Sequence, residues 1–260
     1  MVLIGAHVSP ADLINEAHKR DAQIVQIFLG NPQSWSAPTF SFPGGAEVMK
    51  QALIDANIGV YVHSPYLVNI PTTNSKVRIP SRKMLQQTVD AAALIGARGV
   101  IVHGGHVPKE DEPEAGFANW KKAVDQLDMK VPVLIENTAG GERAMARKLE
   151  AIAKLWDAVG HTDVGFCLDT CHAWAGGLEL PDVVQKIRAI TGRIDLVHAN
   201  DSKDAFNSSR DRHANLGMGE IALDELVECI KAANAPVITE TPGEVEEQAA
   251  DIALLKKRLG

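Results

Sequence analysis

Short runs of apolar, β-branched residues alternate along this chain with longer stretches in which apolar positions recur every three or four residues. The short runs have the length and composition of buried strands, and eight of them lie at residues 2–7, 24–29, 59–63, 100–103, 131–136, 164–169, 194–198 and 236–240. The longer stretches predict amphipathic helices over 10–20, 46–56, 81–96, 116–127, 143–159, 181–190, 223–233 and 244–259. Residues 143–159 give the clearest helical stripe, with Met145, Leu149, Ile152, Trp156 and Val159 on one face. Strict strand–helix alternation predicts an α/β chain folded as a single (β/α)₈, or TIM, barrel spanning residues 1–260. An open, doubly wound sheet is the structural rival. Neither a linker nor a low-complexity tract interrupts the pattern, and the Pro/Gly-rich segment 30–45 reads as a long βα loop.

A barrel of this kind carries its chemistry where the strands end and the βα loops converge. Here those ends are metal-capable. His63, His103, Glu136 and Asp169 close the third to sixth runs, and His172 follows just beyond. His198 ends the seventh, Asp211 and His213 stand in the loop after it, and Glu240 ends the eighth. Imidazole and carboxylate together suit Zn²⁺ or a similar borderline cation, and Asp211 and His213, two apart in an extended segment, face one side. Any one such residue is more often solvated or hydrogen-bonded than a ligand. All of them on one rim predict a multinuclear metal centre that uses five of the nine histidines. His7 and His106 fall near the same rim but outside the ligand set. His18 in a helix and His161 in a connection at the opposite rim read as structural. Cys167 and Cys171 flank Asp169, yet Cys167 lies within a strand, and core packing is the expected role of both.

Composition adds bounds rather than an assignment. Hydrophobic content of 45% and charged content of 23% are those of a soluble globular protein. The N-terminus lacks the basic region of a signal peptide, and no run reaches membrane-spanning length. Three cysteines are too few for a disulfide framework, so a cytoplasmic setting is expected. Net charge of −7 argues mildly against a nucleic-acid partner. Three divalent cations would nearly cancel that charge and concentrate the positive part at the site, so global charge decides nothing.

Longer motifs are more specific. His-Ser-Pro-Tyr-Leu-Val-Asn at 63–69, Glu-Asn-Thr-Ala-Gly at 136–140 and Leu-Asp-Thr-Cys-His-Ala-Trp-Ala-Gly-Gly at 168–177 form the first set. His-Ala-Asn-Asp-Ser-Lys at 198–203, Asp-Arg-His-x₃-Leu-Gly at 211–217 and Glu-Thr-Pro at 240–242 complete it. In this order they resemble endonuclease IV, the family of zinc-dependent abasic-site endonucleases of DNA base-excision repair. The resemblance implies three Zn²⁺ ions, with Mn²⁺ or Fe²⁺ admissible at some positions. One would sit on His63, His103 and Glu136, a second on Glu136, Asp169, His198 and Glu240, and a third on His172, Asp211 and His213. Glu136, Asp169 and Glu240 would be the catalytic carboxylates. The implied reaction is hydrolysis, by metal-bound hydroxide, of the phosphodiester 5′ to an abasic site in duplex DNA. It leaves a 3′-hydroxyl and a 5′-deoxyribose phosphate, with repair of blocked 3′ ends as a second activity.

The resemblance also puts Tyr66 and Leu67, and Gln33 and Trp35 of the second loop, where family members enter the duplex; Lys203 and Arg212 are candidate phosphate contacts. Two departures stand out. Gln33 replaces the arginine of some members, and Gly104 follows His103 where others carry proline. A monomer is the expected state. Two other readings are a metal-dependent sugar isomerase or epimerase on the same barrel, and a non-catalytic binder of damaged DNA.

Overall fold

Strands buried on both faces can satisfy their backbone only by pairing with one another. In the computed structural model, which describes residues 2–260, they do so in a closed ring. β1 (Ile4–His7), β2 (Ile24–Phe28), β3 (Gly59–His63), β4 (Val100–His103), β5 (Val133–Glu136), β6 (Gly165–Asp169) and β7 (Leu196–His198) pair in parallel, each with the next. β8 (Asp201–Ser202) and β9 (His213–Ala214) form a small antiparallel hairpin outside the ring. β10 (Val237–Thr239) pairs with both β7 and β1, with Ile4 opposite Val237. That last pairing closes the barrel and excludes the open sheet.

Nine helices wrap the ring among the described residues: α1 (Leu13–Lys19), α2 (Gly45–Asp55), α3 (Ser75–Leu94), α4 (Pro113–Val124), α5 (Leu149–Val159), α6 (Thr170–Gly176), α7 (Leu180–Thr191), α8 (Leu223–Ala233) and α9 (Val245–Leu259). Each long one buries one stripe. On α5 the stripe is Ile152, Leu155, Trp156 and Val159, and the Trp156 ring meets Phe166 of β6 edge-on with centroids 5.6 Å apart. Each such side chain contributes about 1.5–3 kcal/mol by leaving water. No described helix is long and apolar enough to cross a membrane.

Several boundaries depart from the sequence pattern, and α4 runs over Pro113–Val124 rather than 116–127. α3 starts at Ser75 rather than 81, because the Asn74 side chain caps it by accepting from the Lys76 amide at 3.0 Å, and Pro80 is carried inside the helix. α5 starts at Leu149 rather than 143. Residues 143–147 instead run beside the loop after β4, where Met145 N donates to Gly105 O at 2.9 Å and Val107 N to Arg143 O at 3.2 Å. α6 occupies a segment with no expected helix, and Asp169 begins it by accepting from the His172 amide at 2.6 Å.

Alternate residues of each strand face the barrel axis. Ile24, Tyr61, Ile101, Leu134, Cys167, Leu196 and Ile238 meet there as one buried apolar cluster. Two positions further along the same strands, toward the C-terminal rim, stand Gln26, His63, His103, Glu136, Asp169, His198 and Glu240. On β1 the matching pair is Gly5 and His7. Gly5 has no room for a side chain, since a Cβ there would lie 1.6 Å from the Ile24 carbonyl oxygen. The two-residue period of the strands thus stacks a ring of polar side chains on an apolar floor.

Candidate metal centre

Glu136 is the hub of that polar ring. Its Oε2 lies 3.2 Å from His63 Nε2 and 3.3 Å from His103 Nε2. Its Oε1 lies 3.1 Å from His198 Nδ1 and 3.2 Å from His172 Nδ1. Three groups of nitrogen and oxygen donors result, each with its atoms within 4.8 Å of one another: His63, His103 and Glu136; Glu136, Asp169, His198 and Glu240; and His172, Asp211 and His213. A fourth set, Asp169, Cys171 and His213, overlaps them. The groups open into a cavity of about 510 Å³, which His7, Tyr66, Thr241 and Gln248 also line.

Strand ends supply most of these side chains, and two local devices supply the rest. The α6 cap brings His172 over the ring, with its Nδ1 2.9 Å from the Asn137 carbonyl and its Nε2 3.1 Å from Asp211 Oδ2. The β8–β9 hairpin, with Ser202 opposite His213, returns the 203–212 loop to the mouth and sets His213 Nε2 3.1 Å from Asp211 Oδ1. Asn200 then ties the carboxylates together. Its Nδ2 donates to Asp169 Oδ2 at 2.7 Å, and its Oδ1 accepts from the Glu240 amide at 2.8 Å.

Charges in this cavity are mutually compensated. Burial pushes Glu136 up, but His198 and His103 outweigh it and hold the carboxyl well below the usual range. Glu240 is likewise held down to about 2 against burial, chiefly by His198. Against partial desolvation, a hydrogen bond from His172 and the neighbouring imidazole of His213 hold Asp211, exposed at the rim, below the carboxylate range. Asp169 goes the other way, because burial dominates. Burial opposes protonation of His172, His198 and His213, yet the surrounding acceptors raise all three, His213 to about 9. His7 is lowered by burial to about 4 and is neutral.

The donor chemistry fits a divalent cation of borderline hardness. Five imidazoles and four carboxylates converge. The buried His213 Nε2 has no aligned hydrogen-bond partner among the described residues, a deficit that a coordinated cation removes. Burial pushes the Cys167 and Cys171 thiols up to about 12, well above the usual thiol range.

Comparison with known proteins identifies the family and the fold. The model of the xylose isomerase-like TIM barrel family matches residues 14–258. Over 257 residues the chain is 57% identical to "Probable endonuclease 4" of Mycobacterium leprae (strain Br4923), covering 99% of each. The chain belongs to the endonuclease IV family. Among solved structures, the endonuclease IV of Thermus thermophilus superposes with a TM-score of 0.85 at 29% identity, covering 99% of this chain and 98% of that one. A D-tagatose 3-epimerase-like protein shares the barrel at a TM-score of 0.81 with 18% identity, which is a likeness of fold alone.

Around the endonuclease IV barrel mouth, the expected DNA-contacting residues are distributed unevenly. Tyr66 lines the cavity, is 54% exposed, and sits 5.7 Å from the His63 ring and 6.0 Å from that of His103. Its amide donates to Pro32 O at 3.0 Å, which stitches this loop to the one bearing Gln33 and Trp35. Gln33, Trp35 and Lys203 are exposed outside the cavity, and Leu67 is half-buried beside Tyr66. Arg212 is exposed but paired with Asp204. His106 is held at its backbone by Asn69 and does not line the cavity, while His18 lies in the last turn of α1 and His161 pairs with Asp125 at 2.7 Å. Gln26, Asn137 and Asn200 are neutral amides that grip the site residues without being metal-capable themselves. The available signal for Gln26 was a lone amide inside the apolar run Ile24-Val25-Gln26-Ile27.

Proposed function

We propose that this chain is a DNA-repair endonuclease that hydrolyses the phosphodiester 5′ to an abasic site in duplex DNA, leaving a 3′-hydroxyl and a 5′-deoxyribose phosphate. The observation that carries this reading is the sharing of Glu136 between two donor groups, with a complete third group beside them in one cavity. Three Zn²⁺ ions match that arrangement. His63, His103 and Glu136 would hold one, Glu136, Asp169, His198 and Glu240 a second, and His172, Asp211 and His213 a third. Bound there, the ions would supply Lewis acidity and a water of lowered pKa for in-line displacement at phosphorus.

The protein's own contribution is preorganisation. Asn200 fixes Asp169 relative to Glu240, the apolar floor excludes water from below, and the Asp169 cap of α6 orients His172. At the rim, Tyr66 and Leu67 would enter the gap left by the missing base, supported by Gln33 and Trp35 from the stitched loop. Lys203 and Arg212 would contact phosphates. The same site would process blocked 3′ ends, which present the same bond. A monomer acting in the cytoplasm, where its buried free cysteines stay reduced, completes the proposal.

The test is cleavage of a duplex carrying one tetrahydrofuran abasic analogue, which cannot undergo β-elimination. One chelator-sensitive cut leaving a 3′-hydroxyl is the expected result. An uncut duplex with zinc-loaded protein, together with turnover in a keto–aldose assay, would establish the sugar isomerase reading instead.

A further inference from the structure

Gln26 is the one amide in the polar ring, and it is fully buried. An amide taken from water without partners is strongly disfavoured, and this one directs every partner into the site. Its Nε2 donates to Glu240 Oε1 at 2.6 Å and lies 3.2 Å from His7 Nδ1. Its Oε1 lies 2.8 Å from His198 Nε2. These contacts settle which way the amide points. A carboxylate oxygen can only accept, so the NH₂ group faces Glu240 and the carbonyl faces His198. His198 must therefore carry hydrogen on Nε2. Its Nδ1, 3.1 Å from Glu136 Oε1 and 3.3 Å from Glu240 Oε2, is the nitrogen turned to the carboxylates. The same amide occupies Glu240 Oε1 and leaves Oε2 facing inward.

We infer that Gln26 is a positioning residue for the cation site formed by Glu136, Asp169, His198 and Glu240: it sets which ring nitrogen and which carboxylate oxygen are presented. This rests on the reading of the cavity as a metal centre. Metal-ligating imidazoles commonly owe their orientation to an acceptor on the far ring nitrogen, and loss of that partner lowers affinity. Here one side chain orients two ligands from β2, a strand that contributes none of its own to the three groups.

The experiment loads the full chain with zinc and compares wild type with Gln26→Met and Gln26→Glu. Zinc content after dialysis, competition with a chromogenic chelator and ¹H–¹⁵N spectra of the histidine rings are the readouts. Gln26→Met keeps the volume and removes both contacts. It should stay folded by circular dichroism and bind one ion about 10–100-fold more weakly, with the others unchanged. Gln26→Glu keeps an acceptor for His198 and sets a carboxylate against Glu240, so it should weaken the same ion while His198 retains its Nε2 hydrogen. In zinc-loaded wild type, His198 should show hydrogen on Nε2, a readout that needs no variant to fold. Full-affinity binding of every ion by Gln26→Met, or hydrogen on His198 Nδ1 in wild type, overturns the inference. Zinc binding without cleavage of abasic DNA overturns the proposed activity alone. A wild-type chain that takes up no zinc overturns both.

Discussion

Arg212 is gripped by Asp204 through two parallel hydrogen bonds, Nε to Oδ2 at 2.8 Å and Nη2 to Oδ1 at 2.5 Å. The carboxylate holds the guanidinium in one direction at the rim and leaves most of its N–H donors free for a phosphate. Arg212→Ala should weaken duplex binding whatever the sequence. The slope of log K against log salt should become shallower by about 0.9, the value for one lost phosphate contact. Fluorescence anisotropy across a salt series measures both, and an unchanged slope would remove Arg212 from the DNA interface.

Glu136→Gln keeps the shape of the hub and removes its charge from two donor groups at once. If the metals supply about 4 kcal/mol or more of transition-state stabilisation, cleavage should fall by on the order of a thousandfold. Single-turnover cleavage of the tetrahydrofuran duplex, with zinc content measured on the same sample, is the check. Turnover near the wild-type rate would remove Glu136 from the mechanism.

Tyr66 offers an aromatic face beside His63 and His103. Stacking in the abasic gap depends on the ring, not the hydroxyl, so Tyr66→Phe should retain activity. Tyr66→Ala should lose about 1–3 kcal/mol of binding to lesion-containing DNA. Affinity for undamaged duplex should move far less, and an equal loss on both substrates would assign Tyr66 to general packing.

Protonation links metal and stability. In the metal-free protein, the His213 pKa of about 9 lies above its ordinary value near 6.5. Its stabilising contribution is therefore complete below about pH 6.5 and is lost as pH rises through 9. Glu240, held to about 2, contributes above its ordinary value near 4.5 and loses that contribution as pH falls through 2. Metal-stripped protein should accordingly melt at a lower temperature at about pH 9.5 than at about pH 6. Coordination needs neutral imidazole, so zinc loading at about pH 7 should release protons and tighten with rising pH. Calorimetry in buffers of different ionisation enthalpy reads that release directly.

Strand positions were legible because the strands are buried on both faces and leave unbroken apolar runs. Their polar ends then marked the rim that gathers His63, His103, Glu136, Asp169, His198 and Glu240. Helix starts were harder. Pro80 reads as a boundary, yet α3 runs through it, and the apolar period across Met145 belongs to a segment that pairs with the loop after β4. α6 and the β8–β9 hairpin are too short to show a period, although they bring His172 and His213 into place. Gln26 and Asn200 stayed hidden for a different reason. Neutral amides carry no chemistry of their own, and only the finished geometry shows them gripping residues that do.

The apolar floor beneath the polar ring makes the barrel a blind-ended well. On the proposed function, ions, solvent and the scissile bond would come and go through the opening that Tyr66 borders. A duplex seated there would act as a stopper. While it stayed, a scavenger in solution would have no route to ions beneath, so a chelator able to silence the resting enzyme would strip the occupied one only as fast as the DNA departs.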